Sequence, residues 1–340
     1  MSGSHKTPVG IVGFRGYSGA ELIRYLVHNP HVEPVLLEHR DAKDEAARPL
    51  RDTGPREIAC TPEAVRANGL AAVFLATPHD VSMDLAGLLI EAGAKVIDLA
   101  AAFRLGTPED YKRWYKEDHT APALLKEAVY SVPEFHRAGV AKARLIANPG
   151  CYPTAANLAI KPLIDAGAID RQCGVVCDAK SGVSGAGRKA TLKTSFCEVT
   201  ENFSAYSILD HRHVPEVLRT SGLEEAEFSF TAQLIPIDRG ILETIYFRAS
   251  EKIKSADDLL GIYQDFYGDA PFVRLYSPGQ VPDLHAVNHS NFCDIGFKYD
   301  AATRRAVVVS CIDNLGKGAA GQAIQNMNLA LGYGETEGLL

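Results

Sequence analysis

A glycine-rich segment separates an apolar run from an amphipathic one near the start of this 340-residue chain, and few folds accommodate that order. Residues 9–12 predict a short buried strand, and residues 20–26 predict a helix. Glycines between a strand and a helix let the backbone approach a pyrophosphate, which rests on the helix N-terminus. The sequence therefore predicts a dinucleotide site contacted by Gly13, Arg15, Gly16, Tyr17, Ser18 and Gly19.

Further apolar runs follow at residues 34–38, 71–76 and 94–99, with helical patterns between them. Continuous apolar strands that alternate with helices are typical of a parallel sheet covered on both faces. Ligands of such sheets bind at the carboxyl ends of the strands. We therefore predict an α/β fold with a Rossmann-type parallel sheet over residues 1–147, and place Thr77 and Pro78 in the wall of the cofactor site.

The residues at the end of the second predicted strand bear on which dinucleotide is bound. An acidic side chain there selects NAD through the ribose 2′-hydroxyl, whereas an arginine can pair with the 2′-phosphate of NADP. Glu38 favours NAD, while Arg40 and Arg15 favour NADP. We expect NADP(H) as the cofactor, with Arg40 at the 2′-phosphate.

A single cysteine, Cys151, lies between an apolar run at residues 143–147 and a helical pattern at 154–160. Pro153 is expected to be the first helical residue, which places the thiol at a strand-to-helix turn. Free N–H groups and the helix dipole at such a turn favour the thiolate, which is the reactive form. We therefore predict that Cys151 is a nucleophile rather than a small buried apolar residue.

The pattern changes after about residue 148. A strand-like run at 174–180 precedes a glycine- and serine-rich segment at 181–188, which we expect to be a flexible loop. Backbone N–H groups and cations gathered in such a loop suit an anion. The run at 228–234 alternates, as in an antiparallel sheet. We predict an α+β catalytic domain with a mixed or antiparallel sheet over residues 148–313, and a helix in 314–340 that returns to the first domain.

Two histidines, His211 and His213, are the candidate acid–base groups. Pro215 is expected at the first helical position, so both imidazoles should lie just before a helix, exposed at the tip of a connection. Imidazole can transfer protons near neutral pH. Glu216 would orient an imidazole or meet the substrate, or it would only offset the helix dipole. A zinc site is disfavoured because no third ligand stands at a suitable spacing.

Composition excludes several classes of function. The net charge of −7 is dispersed and no basic stripe is present, which disfavours nucleic acid as a partner. No apolar stretch approaches the length of roughly 18 residues that a membrane span needs, and no secretory leader is apparent. Seven cysteines at irregular spacing indicate reduced thiols. We expect a cytoplasmic enzyme that acts on a small molecule.

Seven short runs along nearly the whole chain carry a family resemblance. The run at 148–154, around the cysteine, is the most specific, and the glycine segment is the least. The seven runs are 13–22, 130–134, 148–154, 181–188, 211–216, 239–242 and 314–321. Together they resemble the N-acetyl-γ-glutamyl-phosphate reductases of arginine biosynthesis. The chain departs from that family at Ala100 and Ala102, where serine and aspartate are common, and at His289, where glycine is usual.

The resemblance implies a reductive dephosphorylation. The Cys151 thiolate would attack the acyl phosphate of N-acetyl-L-glutamyl phosphate, and NADPH would reduce the resulting thioester. A protonated His213 or His211 would help to release N-acetyl-L-glutamate semialdehyde. The resemblance also implies that the cofactor is contacted by Ser181, Gly182, Ser184, Gly185 and Asn314. It implies that the substrate is bound by Arg104, Asn148, Arg188, Lys189 and Arg239. We expect no metal, and a homodimer or homotetramer.

Three alternatives stay open at this point. A homologous reductase of lysine biosynthesis acts on a carrier-bound aminoadipyl phosphate. An acidic carrier would need a basic docking face, which the net charge of −7 disfavours. Aspartate-semialdehyde dehydrogenase is similar in fold and mechanism, but residues 211–216 argue against it. A non-catalytic NADP-binding redox sensor would use Cys151 as an oxidisable switch and would not need the histidines.

Overall fold

The computed structural model describes residues 6–39, 54–189 and 191–340, which form two compact units. The first unit contains the described residues of Met1–Pro108, together with Asp118–Asn148 and Ala323–Leu340. The second contains Glu109–Glu117 and Pro149–Gln322. The chain therefore enters the second unit briefly before its main crossing at residue 149, and returns to the first unit within its last helix.

The first unit is built on a parallel sheet. Its strands, within the described residues, are β1 (Thr7–Val12), β2 (Val32–Glu38), β3 (Glu57–Ala59), β4 (Ala72–Leu75), β5 (Lys95–Asp98), β6 (Val129–Tyr130) and β7 (Leu145–Ala147). Their order is β3-β2-β1-β4-β5-β7-β6, and every pairing is parallel. All residues of β4 are buried, as continuous apolar runs require. The predicted Rossmann-type sheet is confirmed, and the strand order reverses between β1 and β4, where such folds bind dinucleotides.

The second unit is built on a mixed sheet. Its strands are β8 (Val175–Ser181), β9 (Ser204–Tyr206), β10 (Phe228–Leu234), β11 (Ile241–Arg248), β12 (Val273–Leu275), β13 (Cys293–Asp300) and β14 (Arg305–Ile312), in the order β12-β13-β14-β11-β8-β10-β9. The predicted mixed sheet is confirmed. The interpretation of β10 as an antiparallel strand is wrong on one side, because β10 pairs parallel with β8 and antiparallel with β9. Its alternation reflects one buried face, not the direction of its neighbours.

Helices connect and cover the strands. They are α1 (Tyr17–Leu26), α2 (Pro62–Ala67), α3 (His79–Glu91), α4 (Pro108–Tyr115), α5 (Pro122–Glu127), α6 (Pro133–Lys142), α7 (Cys151–Asp165), α8 (Phe196–Val199), α9 (Val214–Ser221), α10 (Ala256–Tyr267) and α11 (Gly321–Leu331). In α11 the Asn326 side-chain amide donates to the carbonyl of Ser131 at 3.1 Å and to Oδ1 of Asn148 at 3.2 Å. These bonds attach the end of the chain to the first unit.

Helix α7 is the buried centre of the second unit and packs against β11 and β14. It continues through Pro162, which has no N–H to donate to the carbonyl of Leu158. The Tyr267 hydroxyl donates to that carbonyl instead, at 2.5 Å, and the Tyr263 hydroxyl donates to the carbonyl of Ala159 at 2.7 Å. Two tyrosines of α10 thus supply hydrogen bonds to carbonyl groups of α7 near its proline.

Candidate active site

Two glycines of the segment in the first unit, Gly13 and Gly19, have no room for a side chain. Gly13 has a φ of +80°, and a β-carbon there would lie 2.2 Å from the carbonyl oxygen of Ala76. A β-carbon on Gly19 would lie 2.4 Å from the carbonyl oxygen of Gly13. Helix α1 begins at Tyr17, directly after Gly16, so the first N–H groups of α1 have no partner within the helix. This cradle fits the pyrophosphate of a dinucleotide.

The next strand ends beside the glycine segment, because Val12 of β1 and Leu75 of β4 are register partners. Thr77 and Pro78 follow, with Pro78 as the residue before α3. The Thr77 hydroxyl lies 2.9 Å from that of Ser82, which donates to Oδ1 of Asp98 at 2.7 Å. The structure therefore brings Thr77 and Pro78 to the glycine segment, as predicted for the cofactor wall.

Asp98, at the carboxyl end of β5, is a buried acid that sequence reasoning missed. Burial raises the pKa of Asp98 to about 7, against the opposing effects of the Ser82 hydrogen bond and the Arg104 charge. The available signal was an acidic residue directly after two buried apolar residues, Val96 and Ile97. Its carboxyl group holds Ser82, and through it Thr77, in one hydrogen-bonded chain.

The two residues that gave opposite indications of cofactor choice contact each other. The Arg15 guanidinium is hydrogen-bonded to the Glu38 carboxylate at the end of β2, and lies 3.6 Å from the carboxylate of Glu57. Arg40, the residue predicted at the 2′-phosphate, lies outside the described residues. Arg15 therefore offsets the negative charge that would otherwise repel a 2′-phosphate.

Cys151 is the first residue of α7, with Gly150 preceding the helix in an extended conformation. The expectation that Pro153 starts the helix is wrong by two residues. Proline is tolerated at the third helical position because the N–H groups of a first turn have no partner within the helix. The half-buried Cys151 therefore lies at the positive end of the helix dipole, which favours its thiolate.

Glu216 lies between the cysteine turn and a histidine. Its Oε2 accepts a hydrogen bond from the backbone N–H of Gly150 at 2.9 Å, and its Oε1 lies 4.0 Å from Nε2 of His213. The carboxylate is buried on α9. One acidic side chain thus contacts both the turn that presents Cys151 and the imidazole predicted to act with it, rather than only offsetting a dipole.

The predicted exposure of the histidines is wrong. Their residues are 5% and 8% exposed, because the rings of Tyr152, Tyr206 and Phe230 surround His211 at centroid distances of 5.4 to 5.5 Å. Helix α9 begins at Val214, with Pro215 second. Tyr206 is near His211 in the sequence, but Tyr152 and Phe230 come from other parts of the chain, and no local pattern indicates that they cover the imidazole.

His211 and His213 differ in what they can do with a proton. The backbone N–H of His213 donates to Nδ1 of His211 at 3.1 Å, so that nitrogen carries no proton. Burial and the nearby Arg212 charge lower the pKa of His211 to about 4. His211 is therefore neutral near pH 7, whereas the His213 imidazole lies beside the Glu216 carboxylate.

Residues 181–188, expected as a flexible loop, are anchored. Residues Val183–Ala186 form a short 3₁₀ helix. The Ser184 hydroxyl donates to the carbonyl of Asp238 at 2.7 Å, and the Asn314 amide donates to the Ser184 hydroxyl at 3.0 Å. Oδ1 of Asn314 accepts from the N–H of Gly240 at 2.8 Å. The side chains of Ser184 and Asn314, predicted at the cofactor, are thus engaged in holding the loop.

The other loop residues have differing environments. Ser181 is buried and pairs with Ile241 of β11. Gly182 contacts the neighbouring loop closely, since a β-carbon there would lie 2.6 Å from the carbonyl oxygen of Asp238. Gly185 is exposed. The two glycines predicted at the cofactor can offer it backbone groups alone.

The predicted substrate residues lie in both units. In the first unit, the buried Arg104 donates to the carbonyl of Leu99 at 2.8 Å, and the buried Asn148 accepts from Asn326. In the second unit, Arg188 and Lys189 are exposed. Arg239 instead lies mostly buried, with Nη1 3.0 Å from Oδ2 of Asp313.

His289 occupies a backbone conformation that favours glycine. Its φ is +62°, which explains why glycine is usual at this position in the family that the sequence resembles. The backbone N–H of His289 donates to Oδ2 of Asp313 at 2.5 Å, and its ring Nδ1 lies 3.1 Å from Nη1 of Arg239. The imidazole therefore gives Arg239 a contact that glycine could not provide.

Gly318 contacts the candidate nucleophile, and sequence reasoning missed it. It lies in a π-helical turn, Gly316–Ala320, that leads into α11. A β-carbon on Gly318 would lie 2.8 Å from the β-carbon of Cys151 and 3.2 Å from the carbonyl oxygen of Asp313. Glycine is required here by packing and not by its φ, so the sequence shows only one more glycine in a glycine-rich run.

Three further observations concern the described part of the chain. Among residues 6–39, 54–189 and 191–340, no group of three or more His, Cys, Asp or Glu side chains could hold a metal ion. Over the same ranges, no helix is long and apolar enough to cross a membrane. All seven cysteines are free thiols.

Comparison with known proteins gives matches over nearly the whole chain. Residues 8–143 match the family model described as semialdehyde dehydrogenase, NAD binding domain, and residues 151–314 match semialdehyde dehydrogenase, dimerisation domain. The chain is 46% identical to an N-acetyl-gamma-glutamyl-phosphate reductase of Symbiobacterium thermophilum, over 98% of this chain and 97% of that protein. A protein of the same name from Desulforudis audaxviator is 45% identical, with 98% and 97% covered.

Among solved structures, the fold resembles aspartate semialdehyde dehydrogenase II of Vibrio cholerae, complexed with ASA. The TM-score is 0.72 at 20% identity, with 96% of this chain and 99% of that chain covered. Aspartate semialdehyde dehydrogenase with NADP from Candida albicans gives a TM-score of 0.69 at 17% identity, covering 96% and 98%. At such identities the likeness concerns the fold alone.

Proposed function

Since this chain belongs to the N-acetyl-gamma-glutamyl-phosphate reductase family, we propose that it reduces N-acetyl-L-glutamyl 5-phosphate to N-acetyl-L-glutamate 5-semialdehyde and releases phosphate. The observation that carries the proposal is the position of Cys151 as the first residue of α7, with Glu216 bonded to the preceding turn and facing His213. This arrangement supports covalent capture of an acyl group.

The acyl-transfer half of the reaction uses residues of the second unit. The Cys151 sulfur attacks the acyl carbon, the carbon–oxygen bond to phosphate breaks, and phosphate leaves. The product is a thioester on Cys151. The N-terminus of α7 lowers the cost of keeping the sulfur ionised before attack. Glu216 fixes the position of the cysteine turn relative to the His213 imidazole, because its carboxylate contacts both.

A bound nicotinamide cofactor supplies the hydride that reduces the thioester to a thiohemiacetal. His213 moves the proton that this carbonyl oxygen gains and then loses, while the carbon–sulfur bond breaks and the semialdehyde leaves. Cys151 is restored as the thiolate. His211, neutral near pH 7, orients the His213 backbone and does not exchange a proton.

For the cofactor we propose NADP(H). Gly13, Gly16, Tyr17, Ser18 and Gly19 would cradle its pyrophosphate, with Thr77 and Pro78 beside them. The contact between Arg15 and Glu38 supports NADP(H) as the cofactor, because the guanidinium offsets the carboxylate charge that would repel a 2′-phosphate. A structure with NADP exists for the related fold from Candida albicans.

For the substrate we propose Arg239 as the cation that binds the α-carboxylate or the phosphate. It differs from the exposed Arg188 and Lys189 in being fixed by Asp313, which is itself buried. A fixed guanidinium loses less conformational entropy on binding an anion. We further propose a homo-oligomer, because residues 151–314 match a dimerisation domain, and a cytoplasmic location, where thiols stay reduced.

The reaction can be tested in the oxidative direction by following phosphate-dependent reduction of NADP. N-acetyl-glutamate semialdehyde should be oxidised faster than aspartate semialdehyde or a carrier-bound aminoadipate semialdehyde. Cys151→Ser should abolish turnover, whereas Cys173→Ser, which changes an exposed thiol, should leave it intact. Faster oxidation of either competitor, or activity in Cys151→Ser, would contradict the proposal. No turnover with any of the three would favour a non-catalytic redox sensor.

A further inference from the structure

His289 is an exposed histidine beside Arg239, the cation proposed above for the substrate. Its φ of +62° is a left-handed conformation that glycine adopts readily and other residues adopt uncommonly. A residue stays in such a conformation where the surrounding contacts hold it there. The contacts of His289 therefore indicate what its side chain contributes.

The backbone around His289 is held by bonds that do not involve its ring. The N–H of His289 donates to Oδ2 of Asp313 at 2.5 Å, and the hydroxyl of the next residue, Ser290, donates to the carbonyl of Val287 at 2.6 Å. The loop should therefore keep its course with a different side chain at residue 289. The imidazole makes a contact of its own with Arg239.

The direction of that contact follows from the chemistry of the guanidinium. Arginine nitrogens only donate, so Nδ1 of His289 accepts from Nη1 of Arg239, 3.1 Å away. The accepting imidazole is neutral, with its proton on Nε2. Nη1 carries two hydrogens, and it also donates to Oδ2 of Asp313 at 3.0 Å. Two acceptors on one nitrogen, His289 and Asp313, therefore define the plane of the guanidinium.

Asp313 is a rigid anchor that is connected to the candidate nucleophile. Its buried carboxylate accepts through Oδ1 from the N–H groups of Leu315 at 2.8 Å and Gly316 at 3.0 Å. Its carbonyl accepts from the N–H of Gly318 at 2.9 Å, and Gly318 packs directly against Cys151. A guanidinium bound to Asp313 is therefore held at a fixed place relative to the reacting sulfur.

We propose that His289 is a positioning residue, which sets the orientation of Arg239 for an oxyanion of the substrate, either its carboxylate or its phosphate. This inference rests on the function proposed above and on the place given there to Arg239. A guanidinium binds carboxylate and phosphate through paired hydrogen bonds, so its plane must face the anion. A plane that is set before binding reduces the entropy that the complex loses. Glycine at residue 289 would relax the backbone but would remove one of the two acceptors that set this plane.

His289→Gly tests the proposal in the oxidative direction, where the semialdehyde carries the carboxylate and inorganic phosphate is a separate substrate. The KM of one of them should rise about 3- to 10-fold, the cost of ordering one side chain on binding. A rise for the semialdehyde would place Arg239 at the carboxylate, and a rise for phosphate would place it at the phosphate. The kcat should change by less than about twofold, because the lost contact serves ground-state and transition-state binding alike. Unchanged KM values for both substrates would overturn the proposal.

His289→Asn is the variant that should restore the wild-type KM. Asparagine tolerates the left-handed conformation, and its Oδ1 is an acceptor at the position of the histidine Nδ1. If residue 289 mattered only for the backbone, glycine would perform at least as well as asparagine, and that result would overturn the proposal. His285→Ala is the matched control, because it changes an exposed histidine of the same connection and should leave both KM values unchanged.

Two measurements that do not depend on turnover complete the test. The urea midpoint of His289→Gly should equal or exceed that of the wild type, and a lower midpoint would overturn the proposal by showing that the ring supports the fold. Calorimetry on the NADP-saturated protein measures the Kd of N-acetyl-L-glutamate and of inorganic phosphate. Weaker binding of one anion by His289→Gly, restored in His289→Asn, without reductase activity would refute the reaction alone. An active reductase with equal KM and Kd values in all three proteins would refute the role of His289 alone.

Discussion

Replacing Gly318 with alanine should slow the reaction while leaving the fold intact. A β-carbon on residue 318 would lie 2.8 Å from the β-carbon of Cys151, whereas ordinary contact begins at 3.4 Å. The two carbons must therefore separate by at least about 0.6 Å. Neither side yields easily, because α7 is buried along most of its length and the N–H of Gly318 donates to the carbonyl of Asp313 at 2.9 Å.

The size of the effect follows from that displacement. Overpacking of a well-packed interior costs about 1 to 3 kcal/mol, which a domain of this size tolerates. A misplacement of about 1 Å at a reacting group costs roughly 10²-fold in rate. We therefore expect Gly318→Ala to lower kcat by about 10- to 100-fold, with a KM near that of the wild type because the substrate cations are not moved.

Steady-state kinetics measures the loss of rate, and urea denaturation measures the loss of stability. The rate of Cys151 alkylation reports on the thiol directly. Gly261→Ala is the matched control, because Gly261 lies in α10 with no atom within 4 Å of an added β-carbon. That variant should keep its kcat and gain up to about 1 kcal/mol of stability. A wild-type kcat and alkylation rate in Gly318→Ala would refute the packing argument.

Three further outcomes are expected. His213→Asn should lower kcat about 100-fold and remove one limb of the pH profile of the rate. His211→Asn should keep both limbs, because the pKa of His211, at about 4, keeps that ring neutral over the assay range. Equal pH profiles for the two variants would contradict this assignment. Arg15→Ala should shift the ratio of kcat/KM for NADPH over NADH downward by roughly 10- to 100-fold, since Glu38 would lose its counter-ion, and an unchanged ratio would move cofactor choice elsewhere. Burial raises the pKa of Asp98 from 3.8 to about 7, so the protonated carboxyl group contributes its full stability below about pH 4 and loses it as the pH rises to 7. In denaturation experiments at several pH values, the free energy of unfolding of Asp98→Asn relative to that of the wild type should therefore rise by up to about 1.4 kcal/mol per pH unit over that window. A difference that does not change with pH would refute the raised pKa.

The first unit could be predicted from sequence because its signals are local. The buried parts of the central parallel strands β1 and β4 are apolar runs, and Gly13 and Gly19 mark a turn where the backbone must pass closely. The mixed sheet was harder, because the alternation of β10 reports which face is buried and not which way its neighbours run. Only the pairing with β8 decides that, and pairing is a long-range property.

In the candidate site, too, the residues with a local sequence signal could be predicted and those placed by long-range contacts could not. Cys151, His213 and Glu216 could be singled out because each stands at a helix start that the sequence marks with proline. The burial of His211 could not be predicted, because two of the rings that cover it, Tyr152 and Phe230, come from other parts of the chain. Gly318 contacts Cys151 across more than 160 residues, and nothing local distinguishes it from its neighbours.

The residues proposed for acyl transfer belong to one compact unit, and the glycine segment belongs to the other. Making and breaking the acyl–sulfur bond needs no electron donor, so we expect the residues of the second unit to transfer an acyl group without a dinucleotide. Incubated with acyl phosphate but without dinucleotide, the protein should exchange its bound acyl group between phosphate and arsenate. Over evolution, acyl specificity and the choice of electron donor can then drift separately, the former around Arg239 and the latter at the end of β2.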